Sequence, residues 1–273
     1  MLLPAVLLVL AAIVAVAYRQ QWTWMAPVSS RLRRADPYVR VYLRSSPATF
    51  VYLFILLVTT WVLRTSTVTV GKQLLWLHST NLTHLRNDPL SVLVTSAFWL
   101  TGFEIVAWLV LFPLVLAPAE KWLGSVRAIV VFAIGHVGAT LLTAGGIAFM
   151  VRHGLAPRRL KDVVDVGSSY GFFAVAAVFS YRFRDRWGLV WAGALLVGTT
   201  GMVVVQAEFA DYGHLVAVLI GLTLYPLTRT EGVRSRSRWP IWRPPSLLVD
   251  AERDRLVAAR RLQRHPEVGA DPE

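Results

Sequence analysis

The chain has 273 residues, 55% hydrophobic and 16% charged, with a formal net charge of +12. Soluble domains carry roughly a quarter charged residues, so much of this surface does not face water, and the 11 tryptophans suit a membrane–water boundary. The absence of cysteine excludes disulfides, Cys-ligated zinc and Cys nucleophiles. The arginines sit between apolar runs and near the C-terminus, a placement that points to anionic lipid and not to nucleic acid.

A spanning helix needs roughly 20 mostly apolar residues, and the chain offers seven candidates. Met1 to Tyr18 comes first. It has no preceding positive residue and no small-residue cleavage site after it, so it reads as an anchor helix and not a signal peptide. Residues 19–47 follow as a basic cytoplasmic linker with Arg31, Arg33, Arg34 and Arg40. The second span runs from Ala48 to Leu63. The segment from Arg64 to Pro89, with Trp76, His78, Asn81 and His84, is too short of apolar residues to span and is expected to lie along the interface.

The third span is expected from Leu90 to Ala117, with Pro113 as a kink, and the fourth from Val126 to Met150. The fifth, Ser168 to Tyr181, is short and starts on polar residues, Asp165 to Ser169. Such a start is tolerated at membrane depth only beside protein or water. The sixth is Gly188 to Gln206 and the seventh Gly213 to Leu227. Residues 228–273 form an arginine-rich tail, expected to be helical from Leu247 to Leu262 and disordered elsewhere. There is no internal repeat of the kind inverted-repeat transporters carry.

Positive residues set the orientation. The Arg31 cluster, the Arg182–Arg186 loop and the tail share one side, and the acidic 207–211 loop lies on the other. This places the N-terminus outside and the C-terminus in the cytoplasm of a multi-pass cell-membrane protein. One basic group, Arg152, Arg158, Arg159 and Lys161, falls on the opposite side from the majority.

Polar residues inside a membrane are costly and therefore functional candidates. These are Glu104, His136, Ser168, Ser169 and His214. Gly167-Ser168-Ser169-Tyr170-Gly171 fits G-x-S-x-G, in which glycines permit a sharp turn at a serine; the same residues also suit close helix packing. Ser169 and His214 both start helices that run inward from the same face, so they share a depth. A serine needs an adjacent base to act as a nucleophile. Glu104 and His136 read as structural hydrogen-bonding residues, and no metal-ligand spacing is present.

These letters resemble the rhomboid family of intramembrane serine proteases. Glu120-Lys121-Trp122-Leu123-Gly124-Ser125 is similar to the family's E-x-x-x-G-S, Gly167-Ser168-Ser169 to its G-x-S, and His214 with Ala217 and Gly221 to its A-H-x-x-G-x-x-x-G. Phe173 stands where the family keeps an aromatic ring against the histidine. The resemblance covers residues 48–227. It implies an all-α six-helix membrane core with one extra N-terminal helix, a Ser169–His214 dyad supported by Gly167 and Phe173, and no cofactor or metal. It also implies a membrane-anchored substrate or client helix as partner. Two positions depart from the family. Tyr170 replaces the glycine after the serine. Glu104 and Trp108 fall where the family carries its oxyanion-binding His and Asn, and the nearest similar letters are His84, Asn87 and Asp88. The alternatives are an inactive relative that binds transmembrane helices and a lipid-handling or transport protein.

Overall fold

The computed structural model describes residues 26–264, apart from Phe103 and Ala207. The expected anchor at 1–18 lies outside them. The chain divides into one compact unit from Ser45 to Trp242 and another built from the residues on either side of it.

The segment expected as a linker is a helix, α1 (Ala26–Ser45). Val41 on it is buried and Arg40 pairs with Asp36 one turn back at 2.8 Å, so the basic residues decorate an amphipathic helix and do not mark a loop.

The main unit begins with α2 (Pro47–Thr65), opened by a proline whose missing N–H is harmless in a first turn. Three short helices follow: α3 (Val68–Leu77), α4 (Leu82–Asn87) and α5 (Pro89–Thr95). They fold back along the bundle end. Trp76 sets its ring edge-on to His84 at 4.2 Å, His78 stacks on Trp99, and Ser79, Thr80 and Asn81 between them are buried.

The third span departs from expectation. Its apolar run does not make one helix from Leu90 to Ala117. It stops after a 3₁₀ turn at Ser96–Phe98, where Trp99 is extended, and restarts as α6 (Glu104–Leu111). The cause is competition for carbonyls: Gly167 N–H donates to Ser96 O at 3.0 Å and the Tyr52 hydroxyl to Ala97 O at 2.5 Å. Helix α6 continues through a π-turn at Phe112–Leu116 into α7 (Ala117–Leu123). Pro113 lies in that turn, whose wider spacing accommodates the residue that cannot donate.

Glu120 explains the E-x-x-x-G-S letters. It is 1% exposed and accepts from Ala48 N (3.0 Å), Thr49 N (2.7 Å), Thr49 Oγ1 (2.6 Å) and Ser125 Oγ (2.5 Å). One carboxylate thus satisfies the orphan donors at the start of α2 while fixing the corner into α8 (Ser125–Arg152). Gly124 makes that corner at φ 87°, a conformation only glycine adopts without strain.

The remaining core helices are α9 (Ser169–Phe179), α10 (Arg186–Val205) and α11 (Phe209–Thr223). Among the described residues, four helices are long and apolar enough to cross a membrane: α2, the α6–α7 run, α8 and α10; α9 and α11 are shorter. No strand occurs among the described residues. Helix α9 is the hub. Ala174 to Phe179 have no exposed surface, and α8 and α11 approach it at backbone distance. A Cβ at Gly135 would sit 2.1 Å from Ala174 Cβ, and one at Gly221 would sit 2.3 Å from Ala174 O.

The packed unit runs beyond residue 227, and its extension is not disordered. Helix α12 (Glu231–Arg236) and residues 237–242 dock on the end of α7. Arg236 donates to the carbonyls of Trp122 and Leu123, the Trp122 indole donates to Ser237, and Lys121 donates to Pro240 O and Ile241 O at 2.7 Å each. Arg236 here satisfies helix-end carbonyls and Lys121 those of an irregular segment, uses that composition alone does not distinguish from a solvated tail. In the other unit, α13 (Ser246–Arg264) covers the expected tail helix, and its Glu252 accepts from Arg44 at 2.5 Å.

Candidate active site

Ser169 is the first residue of α9, and its approach is fixed by hydrogen bonds from the loop after α3. Thr80 N–H donates to Asp165 O at 2.9 Å, and Asp165 N–H donates to Ser79 Oγ at 2.8 Å. The Thr80 hydroxyl reaches Asp165 Oδ2 at 3.0 Å. Burial pushes the Asp165 carboxyl up to about 6 against the bonds it receives from Thr80 and Tyr170. Gly167 then turns at φ 143°, which a side chain rarely allows. Beyond it the first intrahelical bond is Phe172 N–H to Ser168 O, so the N–H groups of Ser169, Tyr170 and Gly171 have no partner within the helix.

His214 lies in the second turn of α11. That helix begins with a reciprocal cap: Glu208 accepts from the backbone of Asp211, and Asp211 Oδ2 accepts from Glu208 N–H at 3.0 Å. The two helix starts meet. His214 Nε2 is 2.9 Å from Ser169 Oγ. The Phe173 ring stands 4.9 Å from the imidazole, centre to centre, and the Tyr170 ring edge-on at 5.4 Å. Ser168, by contrast, is fully buried, and its hydroxyl makes no hydrogen bond among the described residues.

The sequence of the rhomboid-like protein family matches residues 41–234. The chain belongs to the rhomboid-like family. No curated protein and no solved structure matches it. It therefore folds as an all-α, multi-pass membrane protein with the family's six-helix core, and a lipid bilayer is its surroundings.

Within this rhomboid-like core the unusual Tyr170 has a visible accommodation. A Cβ at Gly213 would fall 2.3 to 2.5 Å from the Tyr170 ring and hydroxyl, so Gly213 opens the space that the tyrosine fills. Tyr170 also donates to Asp165 Oδ1 at 3.4 Å, which links the ring to the loop before Ser169. The residues at the two positions where the resemblance expects oxyanion donors have other surroundings. Glu104 accepts from Thr101, and Trp108 is buried against Phe112 and Phe172, its indole N–H without a hydrogen bond among the described residues. His84 is used locally, held by Asn81 and the Ser79 carbonyl. His136 bonds Ser96 Oγ at 3.1 Å, tying α8 to the end of α5.

One neighbour of the site escaped the sequence reading. Asp211, 2% exposed, turns Oδ1 toward His214 Nδ1 at 3.9 Å, and that nitrogen has no hydrogen-bond partner among the described residues. The signal was present: Asp211 precedes His214 by three residues, which puts both on one face of a helix. It was overlooked because the acid served as a marker of the membrane's outer side. No group of three or more His, Asp and Glu side chains among the described residues is arranged for a metal.

Proposed function

We propose that this rhomboid-like protein is an intramembrane serine endopeptidase that cuts membrane-anchored substrates with Ser169 and His214. The contact of 2.9 Å between Ser169 Oγ and His214 Nε2 carries the reading. Ser169 Oγ attacks a peptide carbonyl as its proton passes to Nε2, and the C–O bond forms. The unpaired N–H groups at the start of α9 face the developing oxyanion. The imidazolium then gives its proton to the leaving amine, the C–N bond breaks, and a water deprotonated by His214 hydrolyses the acyl-enzyme. No cofactor enters. Gly167 and Phe173 support the pair, the first by aiming Ser169 and the second by packing on the imidazole.

For Nε2 to accept a proton, the neutral ring must carry its hydrogen on Nδ1, the atom that faces Asp211. Asp211 acts here as a positioning residue that favours this tautomer and the imidazolium. Asp211→Asn retains an oxygen for the Glu208 cap but loses the charge. It should lower kcat about ten-fold, with KM and the unfolding temperature near the parent values. An unchanged kcat would reduce Asp211 to a helix cap.

The proposed topology places the C-terminus in the cytoplasm and the Ser169 end of the bundle outside. The proposed domain order is anchor 1–18, basic segment 19–47, catalytic core 48–227 and arginine-rich tail 228–273. A cysteine introduced at Ser235 should react only with a membrane-permeant reagent in intact cells; reaction with an impermeant one reverses the orientation.

A second reading is favoured by one observation. Glu104 and Trp108 replace the family's oxyanion donors, as expected of a protein that captures transmembrane helices without cutting them. A serine-directed fluorophosphonate separates the two. Labelling of the purified protein that disappears in Ser169→Ala supports the protease. An unlabelled, folded protein that still retains transmembrane helices supports the capture protein.

A further inference from the structure

The basic group at residues 152–161, on the side opposite the other arginines, has no part in the proposed chemistry. The fold gathers it. Arg152 at the end of α8, Arg158 and Lys161 on the 3₁₀ turn Arg158–Asp162, and Arg86 on α4 line one cleft of about 880 Å³. None of these four cations forms an ion pair among the described residues. The nearby carboxylate Asp162 is engaged by the Thr83 hydroxyl at 2.7 Å. Four like charges around one cleft repel, and an anion between them converts that repulsion into attraction.

Two further features say which anion. The cleft wall includes the apolar residues Leu82, Ala148 and Val151, and Leu141, Leu142 and Phe149 on the same helix α8 are exposed. Helix α8 has 28 residues, a length of about 42 Å at 1.5 Å per residue. It is therefore longer than the roughly 30 Å hydrocarbon core, and its end at Arg152 reaches the headgroup layer. A cationic rim above an apolar wall at that depth matches a phosphate with an acyl chain beneath it.

We propose that this cleft binds the phosphate of an anionic membrane phospholipid, held by Arg86, Arg152, Arg158 and Lys161, with its chain along Leu82 and Ala148. The site is independent of the protease reading. Its wall and the serine loop are joined, because Asn81 and Leu82 directly follow Thr80, which bonds Asp165. Phospholipid bound here therefore braces the approach to Ser169.

Thermal unfolding of the full chain in a neutral detergent tests this. The ligands are dioctanoyl phosphatidylglycerol, dioctanoyl phosphatidylcholine and inorganic phosphate. Phosphatidylglycerol should raise the unfolding temperature saturably, and the other two should not do so at equal concentration. Each neutralised cation should weaken that affinity about five-fold, so Arg152→Gln with Arg158→Gln should weaken it about 25-fold. Raised salt should weaken it too. Arg234→Gln, at the opposite end of the bundle, should leave it unchanged. If the double variant does not fold, Arg86→Gln on the six-residue helix α4 carries the same test at five-fold. Equal stabilisation by phosphatidylcholine overturns the anionic preference. Saturation by inorganic phosphate at the lipid's concentration overturns the lipid as occupant. Parent affinity in the Arg variants overturns the site.

Discussion

Ser169→Ala and His214→Ala should each reduce cleavage of a membrane-anchored substrate by about a thousand-fold or more, with the unfolding temperature in detergent little changed. The proposed chemistry needs both atoms of one hydrogen bond, so the losses should not add, and the double variant should be scarcely worse than either single one. Ser168→Ala is the internal control. Its hydroxyl is fully buried and makes no hydrogen bond to the imidazole, so this variant should keep most activity, with any loss traceable to packing. Cleavage that survives Ser169→Ala would remove the nucleophile from the proposal. Cleavage that survives His214→Ala would remove the base.

Gly221→Val should be the most damaging single change in the core. A Cβ there falls 2.3 Å from Ala174 O, 2.8 Å from Ala177 Cβ and 2.9 Å from Ala174 Cα, two of them backbone atoms that cannot turn aside. Helices α9 and α11 must then separate, at a cost of about 3 kcal/mol. The same separation pulls His214 from Ser169. Low yield of monodisperse protein, a depressed unfolding temperature and loss of fluorophosphonate labelling should appear together. Gly193→Ala on α10 meets nothing within 4 Å and should be neutral or slightly stabilising, since alanine favours helix by up to about 1 kcal/mol. A Gly221→Val protein as stable and as readily labelled as the parent would mean that α9 and α11 do not pack as described.

The helices that were legible in the sequence are those whose whole length is apolar. Ala48 to Leu63, Val126 to Met150 and Gly188 to Gln206 lie within α2, α8 and α10 or differ from them by a residue or two at the ends. The Leu90 to Ala117 run was misread because hydropathy does not record where a carbonyl is diverted. Ser96 O and Ala97 O are taken by Gly167 and Tyr52, partners distant in sequence. The basic segments were misread for a related reason. An arginine that donates to a helix-end carbonyl, as Arg236 does, looks the same in sequence as one in water. At the candidate site, Gly167, Ser169, Phe173 and His214 were read from their resemblance to the rhomboid letters, because small residues around a serine are common wherever membrane helices pack closely and do not by themselves mark a site. Asp211 and Gly213 were harder to read, since their roles depend on which neighbours α9 presents: the imidazole for one and Tyr170 for the other.

The hydrogen bonds that hold Asp165 and Gly167 involve Ser79, Thr80 and Ser96, which lie between α3 and α6. The serine is therefore held by the segment between α3 and α6, while its histidine is carried by α11. Any change that shifts Ser79, Thr80 and Ser96 relative to α11 should change the separation of Ser169 and His214.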